Sequence, residues 1–331
     1  MILRAAHWLS HVDYDLESPV WRPWLQALSA RSRFVRYDPR GSGLSERYVA
    51  DLSIEAWNAD LDAVAESIDE PRFVLLGLSQ GGALAVAYAL RHPERVSHLV
   101  LLNAYGQGGR VRAHTEAERL EAETLVNFIR IGWGRDNPAF CQFFTNLFIP
   151  DGTPEQHRWW GDLERVTASA DVAAQLLSNM QGIDVAELSR KISVPTLILH
   201  CRGDMRVPFS EGCKLAAAIP GARFVPLESK NHVLLPDEPA WAVFHAELAA
   251  FLGWDKPAQP RAIVQAGLTA AETAILKLIA EGLDNRAIAQ RLGKSAKTVR
   301  NQLSVIFSKL GVHSRSQAIV LALGSEQPPT D

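Results

Sequence analysis

Three residues of this chain could together break an acyl bond: Ser79, Asp204 and His232. Ser79 stands in GLSQG over 77–81, directly after the apolar run 73–76 and ahead of an Ala-rich, helix-favouring stretch that begins at Ala83. A strand, a glycine-flanked serine and a helix form the setting in which G-x-S-x-G becomes a nucleophile elbow. The turn is so tight that side chains at its flanks would collide with strand or helix, which gives Gly77 and Gly81 a steric task. A serine hydroxyl is a weak nucleophile until an imidazole takes its proton, and a carboxylate fixes the imidazole's tautomer and steadies its cationic form. Asp204, in RGD over 202–204, and His232, in KNH over 230–232, each fall just past a predicted strand. A plain loop capped by Ser79 is the alternative that its strand-and-helix setting disfavours, whereas Asp204 and His232 singly read as well as a turn carboxylate and a loop histidine. Their joint placement, serine then acid then histidine, favours the catalytic reading.

The elements that must position them follow from hydrophobic pattern. Strands are predicted over 2–8, 34–38, 73–76, 96–103, 194–201 and 222–228, and helices over 18–28, 52–68, 209–219 and 239–252. Strand alternating with helix predicts a parallel sheet covered on both faces. Between about 105 and 190 the alternation stops, and the region reads as helical throughout. Trp133, Phe140, Phe143, Phe144, Phe148, Trp159 and Trp160 are scattered through it. These aromatics favour ordinary packing, although a lid over an apolar pocket would need the same residues.

Residues 1–253 resemble an α/β-hydrolase, with a mostly parallel sheet and a helical cap at about 105–190. The matching blocks are YDPRGSGLS over 37–45, GLSQGG over 77–82, LRHPERV over 90–96, and RGD with NHVLL over 202–204 and 231–235. The order Ser79, Asp204, His232 is that family's triad order. The chain starts inside what would be the family's third strand. It also has His7-Trp8-Leu9 where such hydrolases carry a His-Gly pair. By that match the oxyanion donors would be the backbone N–H of Gln80 and of Trp8 or Leu9.

Composition bounds the remaining choices. The 331 residues, 47% hydrophobic, suffice for one large domain and a small one. No apolar run approaches the ~20 residues that span a bilayer, and 1–15 lacks the pattern of a signal peptide. Cys141, Cys201 and Cys213 have no C-x-x-C spacing, which predicts neither disulfides nor a metal site and suits a reducing cytoplasm. No cofactor is called for. The net charge of −3 is uneven: from Arg261 onward nine basic residues face five acidic ones, leaving +4, so the first 260 carry −7. That split suggests an acidic body joined to a module that meets a polyanion.

After a Gly- and Pro-rich linker at 254–266, residues 267–325 form a small all-α domain. Thr269 and Glu272 make a capping box and Gly282 ends that helix. A second helix spans 284–292, Ser295 caps a third reaching about 310, and Ser314 opens a fourth. Val299, Leu303, Ile306 and Leu310 form the buried stripe of the third helix. Lys297, Arg300, Asn301, Ser304 and Ser308 fall opposite. Cations near a helix N-terminus oppose its dipole, and a basic, amide-bearing face suits base edges in a major groove. On charge alone a solvated bundle face fits as well. Residues 268–323, however, closely resemble the LuxR-type helix-turn-helix, through LT..E, IAEGL, NRAIA, S-x-K-T-V-R-N, IFSKLGV and SRSQA. The resemblance implies a four-helix DNA-binding domain that pairs as a homodimer through its fourth helix. Arg300, Asn301 and Ser304 would face bases, and Arg286, Ser295, Lys297, Thr298 and Lys309 would hold phosphates. Ala271, Gln302 and Val305 depart from the family's usual residues, which leaves the operator sequence open.

These readings combine into a cytoplasmic transcriptional regulator. Its hydrolase-fold domain would sense, and could hydrolyse, a small apolar, ester or lactone ligand, while the second domain binds double-stranded operator DNA. The rival is a serine esterase or lactonase with an appended DNA-binding domain.

Overall fold

The computed structural model describes residues 1–135, 137–254, 268–315 and 317–319. Contacts divide the chain into two units, Met1–Gly253 and Trp254–Asp331. In the first, six strands form one sheet: β1 Ile2–Ala5, β2 Phe34–Val35, β3 Phe73–Leu78, β4 Val96–Leu102, β5 Thr196–Cys201 and β6 Arg223–Leu227. Their order is β2-β1-β3-β4-β5-β6, and each neighbouring pair is parallel. β5 is buried along its whole length and β4 nearly so, as strands covered on both faces must be. Helices α1 Trp21–Ser29, α2 Ile54–Glu66, α3 Gln80–Arg91, α10 Phe209–Ala218 and α11 Pro239–Leu252 alternate with the strands.

Two boundaries differ from the pattern because side chains bond to the backbone or to each other there. The strand predicted over 34–38 ends at Val35. The Asp38 carboxylate turns the chain by accepting from Ser10 Oγ at 2.6 Å and from the N–H groups of Val12 and Leu44 at 3.0 Å. The first helix starts at Trp21 rather than Ser18, because Ser18 Oγ accepts from the N–H of Val20 and Trp21 and acts as a turn ahead of it.

The insertion after β4 holds α4 Gly109–Arg112, α5 Glu116–Gly132, α6 Pro138–Phe148, α7 Pro154–Thr167, α8 Ala170–Gln181 and α9 Ala186–Ser189. An isolated antiparallel bridge, Gln107 to Asp184, closes its base. Six of its seven noted aromatics are buried, and Phe143 is 49% exposed.

The second unit contains α12 Ala270–Ala280, α13 Asn285–Arg291 and α14 Ala296–Leu310. The expected capping box is formed at Thr269 and Glu272, Asp284 caps α13, and Ser295 caps α14. Val299, Leu303 and Ile306 are buried against Ile275, Ile279 and Ile288, with Leu310 packed at the edge of the same core. All but the first residue of the expected linker at 254–266, and half of the expected fourth helix at 314–323, lie outside the described residues. So does any dimer contact that the fourth helix would make. Of the described part, Ala318 joins the core.

Candidate active site

The serine turn is sharper than its sequence suggests. β3 continues through Gly77 to Leu78, α3 begins at Gln80, and Ser79 alone bridges them at φ 56° and ψ −128°. That left-handed value is rare and strained for a residue with a side chain, of order 1–3 kcal/mol, and Ser79 N–H steadies it by donating to Leu102 O at 3.1 Å. A Cβ on Gly77 would lie 2.6 Å from Gly82 Cα, and one on Gly82 would lie 2.4 Å from Ala104 Cβ. Gly82, unremarked in the sequence, is therefore as constrained as Gly77, since helix α3 must pass close to the segment after β4.

His232 sits on the loop after β6 with its side chain buried. Its Nδ1 donates to Asp204 Oδ2 at 2.7 Å. The other carboxylate oxygen, Asp204 Oδ1, accepts from the N–H of Arg206 and Val207 at 2.8 and 3.0 Å. The acid is thus held by three donors and aims the imidazole. His200 is a neighbour only: its Nε2 donates to Val207 O at 3.1 Å, and burial lowers its pKa.

Ser79 and His232 line one small cavity with His7, Trp8, Leu9, Gln80, Phe148 and Trp160. It measures about 10 Å³, close to the minimum for one water. No hydrogen bond joins Ser79 Oγ to His232 Nε2 among the described residues. Four buried side-chain nitrogens of this lining, His7 Nε2, Gln80 Nε2, Trp160 Nε1 and His232 Nε2, have no hydrogen-bond partner among the described residues. His7 is kept neutral: burial holds its pKa well below the ordinary histidine value, and the nearby Arg4 and His232 push the same way. The N–H groups of Trp8 and Leu9 find no acceptor among the described residues either. Trp8 fills the place of a small residue without blocking the cavity because its ring packs into the insertion, stacked on Trp133 at 5.3 Å and edge-on to Phe144 at 5.8 Å.

Two positioning contacts had no clear sequence signal. Asn103, at the end of β4, is fully buried with φ 47°. Its Nδ2 donates to His232 O at 2.7 Å and its Oδ1 accepts from Cys201 N–H at 2.7 Å. An Asn directly after a buried strand, one of the few residues that tolerates this conformation, was the only hint. The second contact is Phe148 O, at the end of α6, which accepts from the N–H of both His232 and Val233, at 2.8 and 3.1 Å. Asn231 Oδ1 accepts from Asp151 N–H beside it.

The family model of the alpha/beta hydrolase fold matches residues 15–239. The chain belongs to the α/β-hydrolase-fold family. The hydrolase domain resembles the 2-hydroxy-6-oxo-2,4-heptadienoate hydrolase of Pseudomonas putida, 37% identical over 215 residues, covering 59% of this chain and 70% of that one. It also resembles a putative carbamate hydrolase, RutD, of Rhizobium rhizogenes, 26% identical over 227 residues, 66% of this chain and 82% of that one. Among solved structures, a bromoperoxidase from Bacillus anthracis shares the fold with a TM-score of 0.64 at 22% identity, over 76% of this chain and 91% of that one. A second family model, that of the luxR family of bacterial regulatory proteins, matches residues 266–322. A hydrolase-fold domain is therefore followed by a LuxR-type helix-turn-helix domain, which implies DNA binding.

In that second domain, Lys297, Thr298, Arg300, Asn301 and Ser304 lie exposed along α14, with Ser295 at its cap and Arg286 exposed on α13. Ser295 Oγ accepts from Thr298 N–H and meets Thr298 Oγ1 at 2.8 Å, so both hydroxyls are engaged at the helix start. Lys309, the other residue expected at phosphates, is ion-paired within the domain. Its Nζ donates to both Glu272 oxygens, at 3.0 and 2.8 Å, and so ties α14 to the capping box of α12. Among the described residues no helix is long and apolar enough to cross a membrane.

Proposed function

We propose that the chain is a DNA-binding transcriptional regulator whose hydrolase domain binds a small ester, lactone or similarly apolar acyl compound and cleaves it through Ser79. The observation that carries the chemistry is the buried His232, oriented by Asp204 at 2.7 Å and facing the cavity that Ser79 enters from a strained turn. His232 Nε2 takes the Ser79 proton as Oγ attacks the carbonyl carbon. The resulting oxyanion is held by the N–H of Gln80 and of Trp8 or Leu9. The imidazolium then gives its proton to the departing oxygen, and water releases the acid from the acyl-serine by the same steps in reverse. Asp204 stays ionised throughout and stabilises the imidazolium. The relatives are named as hydrolases, which supports transfer to water.

For the DNA arm, we assign base contacts to Arg300, Asn301 and Ser304, and phosphate contacts to Arg286, Ser295, Lys297, Thr298 and Lys309. A homodimer reading inverted half-sites is the form that a helix-turn-helix of this type requires. A ligand alters DNA affinity only through unequal affinity for two states of the chain. The rival, an esterase that its tail merely localises, draws on the same Asp204–His232 pair. Ser79→Ala separates the two. Promoter response that survives while ester cleavage vanishes makes the domain a sensor. Loss of both, in a protein that still folds and binds DNA, makes turnover part of the signal. Full promoter control with no response to any ester or lactone, by wild type or variant, would defeat the proposal.

A further inference from the structure

A groove of about 930 Å³ runs between α5, α6 and the loop that follows β5. That volume falls within the roughly 300–1,000 Å³ typical of small-molecule sites. Asp204 reaches its wall, whereas neither Ser79 nor His232 lines it, so it is separate from the nucleophile's cavity.

Its lining is of two kinds. Leu125, Phe128, Phe143, Leu147 and Met205 are apolar, and Phe143 and Met205 are 49% and 60% exposed. Arg112 and Arg206 are cationic. The acids nearby have donors of their own. Glu118 accepts from the N–H of His114 and Thr115, Glu211 accepts from Lys214, and Asp204 is held as described. Glu121 remains exposed at the rim. Arg112 donates to Gln107 O at 3.1 Å and stands 5.9 Å from the Tyr105 ring. The half-buried Arg206 guanidinium has neither hydrogen bond nor ion pair among the described residues. Burial lowers its pKa, and the like charge of Arg112 adds to that effect. Arginine nevertheless keeps its proton in proteins. Arg206 feels the charge of Asp204 but makes no direct bond to it, so its donor fork is left open toward the groove, and a planar anion is the ligand whose geometry such forks match.

We propose that this groove is a second binding site, for a small molecule with one carboxylate and an apolar tail. The carboxylate is held by Arg206 and Arg112, and the tail lies over Phe128, Phe143 and Leu147. The site has a direct route to the first. The N–H groups of Arg206 and Val207 hold Asp204 Oδ1, so a ligand that grips Arg206 loads the loop that aims His232. This inference goes beyond the hydrolytic reading and stands whether or not Ser79 turns over a substrate.

Octanoate, octanol and acetate, titrated calorimetrically into the full chain, test it. Octanoate should saturate one site and bind at least about tenfold more tightly than either octanol or acetate, because only it satisfies both kinds of lining. Ser79→Ala, or a phosphonate attached to Ser79, should leave that affinity unchanged. Arg206→Gln should weaken octanoate about tenfold or more while leaving octanol where it was. Arg112→Gln, on a short helix away from the sheet, should do the same in part, and Phe143→Ser should weaken the tail contact at an exposed position. Equal binding of octanoate and octanol, or unchanged octanoate affinity in both arginine variants, overturns the proposal. Competition by the Ser79 phosphonate does so too, since it would put the carboxylate in the nucleophile's cavity.

Discussion

Asn103→Ala tests whether one buried amide holds both the sheet end and the histidine. The substitution removes two hydrogen bonds of 2.7 Å and leaves Cys201 N–H and His232 O buried without partners. Each unpaired group costs about 1–3 kcal/mol. Alanine at φ 47° adds about 1 kcal/mol, since asparagine enters the left-handed region more readily. The expected loss is therefore about 3–7 kcal/mol, a large part of the ~5–15 kcal/mol by which a typical domain is stable. Urea unfolding followed by tryptophan emission reads this unit specifically, because eight of the nine tryptophans lie within Met1–Gly253. Any ester cleavage measured alongside should fall by about 10²-fold, the effect of a catalytic group displaced by about 1 Å. A loss below about 1 kcal/mol, with cleavage intact, would refute the assignment of His232 positioning to Asn103.

Three further outcomes are expected. Asp204→Asn should preserve the fold yet lower kcat by about 10⁴-fold, because Nδ1 of His232 then no longer faces an ionised acceptor; a drop under tenfold in steady-state cleavage would contradict the proposed roles. Arg300→Ala should weaken operator binding by about 1–3 kcal/mol and relax one base position, while Lys297→Ala weakens every duplex alike and lowers the salt slope by about one; equal losses of Arg300→Ala on operator and random DNA would remove Arg300 from base reading. Burial pushes the Asp15 carboxyl up to about 7, against the pull of Arg4 and Arg36. A carboxyl raised in the fold contributes stability that is complete below its unfolded pKa of about 3.9 and is lost as pH climbs through 7. Buried His7 and His200 and half-buried His245, whose values are lowered, act in the opposite sense as pH falls through about 6.5. The test is therefore a difference: wild-type minus Asp15→Asn stability should decline from pH 5 to pH 8, and a flat difference would show that Asp15 does not titrate there.

Legibility in the sequence tracked how local each cause was. Gly77 and Ser79 announced the elbow because its requirements fall within five residues, and the capping box at Thr269 and Glu272 was readable for the same reason. The buried stripe of α14 followed from helical spacing alone. Causes that act at long range stayed hidden. Asp38 shortened β2 through contacts with Ser10 and Val12, Asn103 reached His232 across 129 positions, and Lys309 met Glu272 from 37 positions away. Gly82 gave no sign because its constraint is set by Ala104, on a different strand's exit. Periodicity records which face a residue occupies, and it carries no information about which partner waits there.

The carbonyl of Phe148 has one more consequence. Because it binds two successive amides of the histidine loop, the end of α6 over the Ser79 cavity is tied directly to the backbone of His232. Under the proposed hydrolytic reading, any displacement of that end of α6 would shift the backbone that carries His232 as well, so access to the Ser79 cavity and the aim of the imidazole would change together.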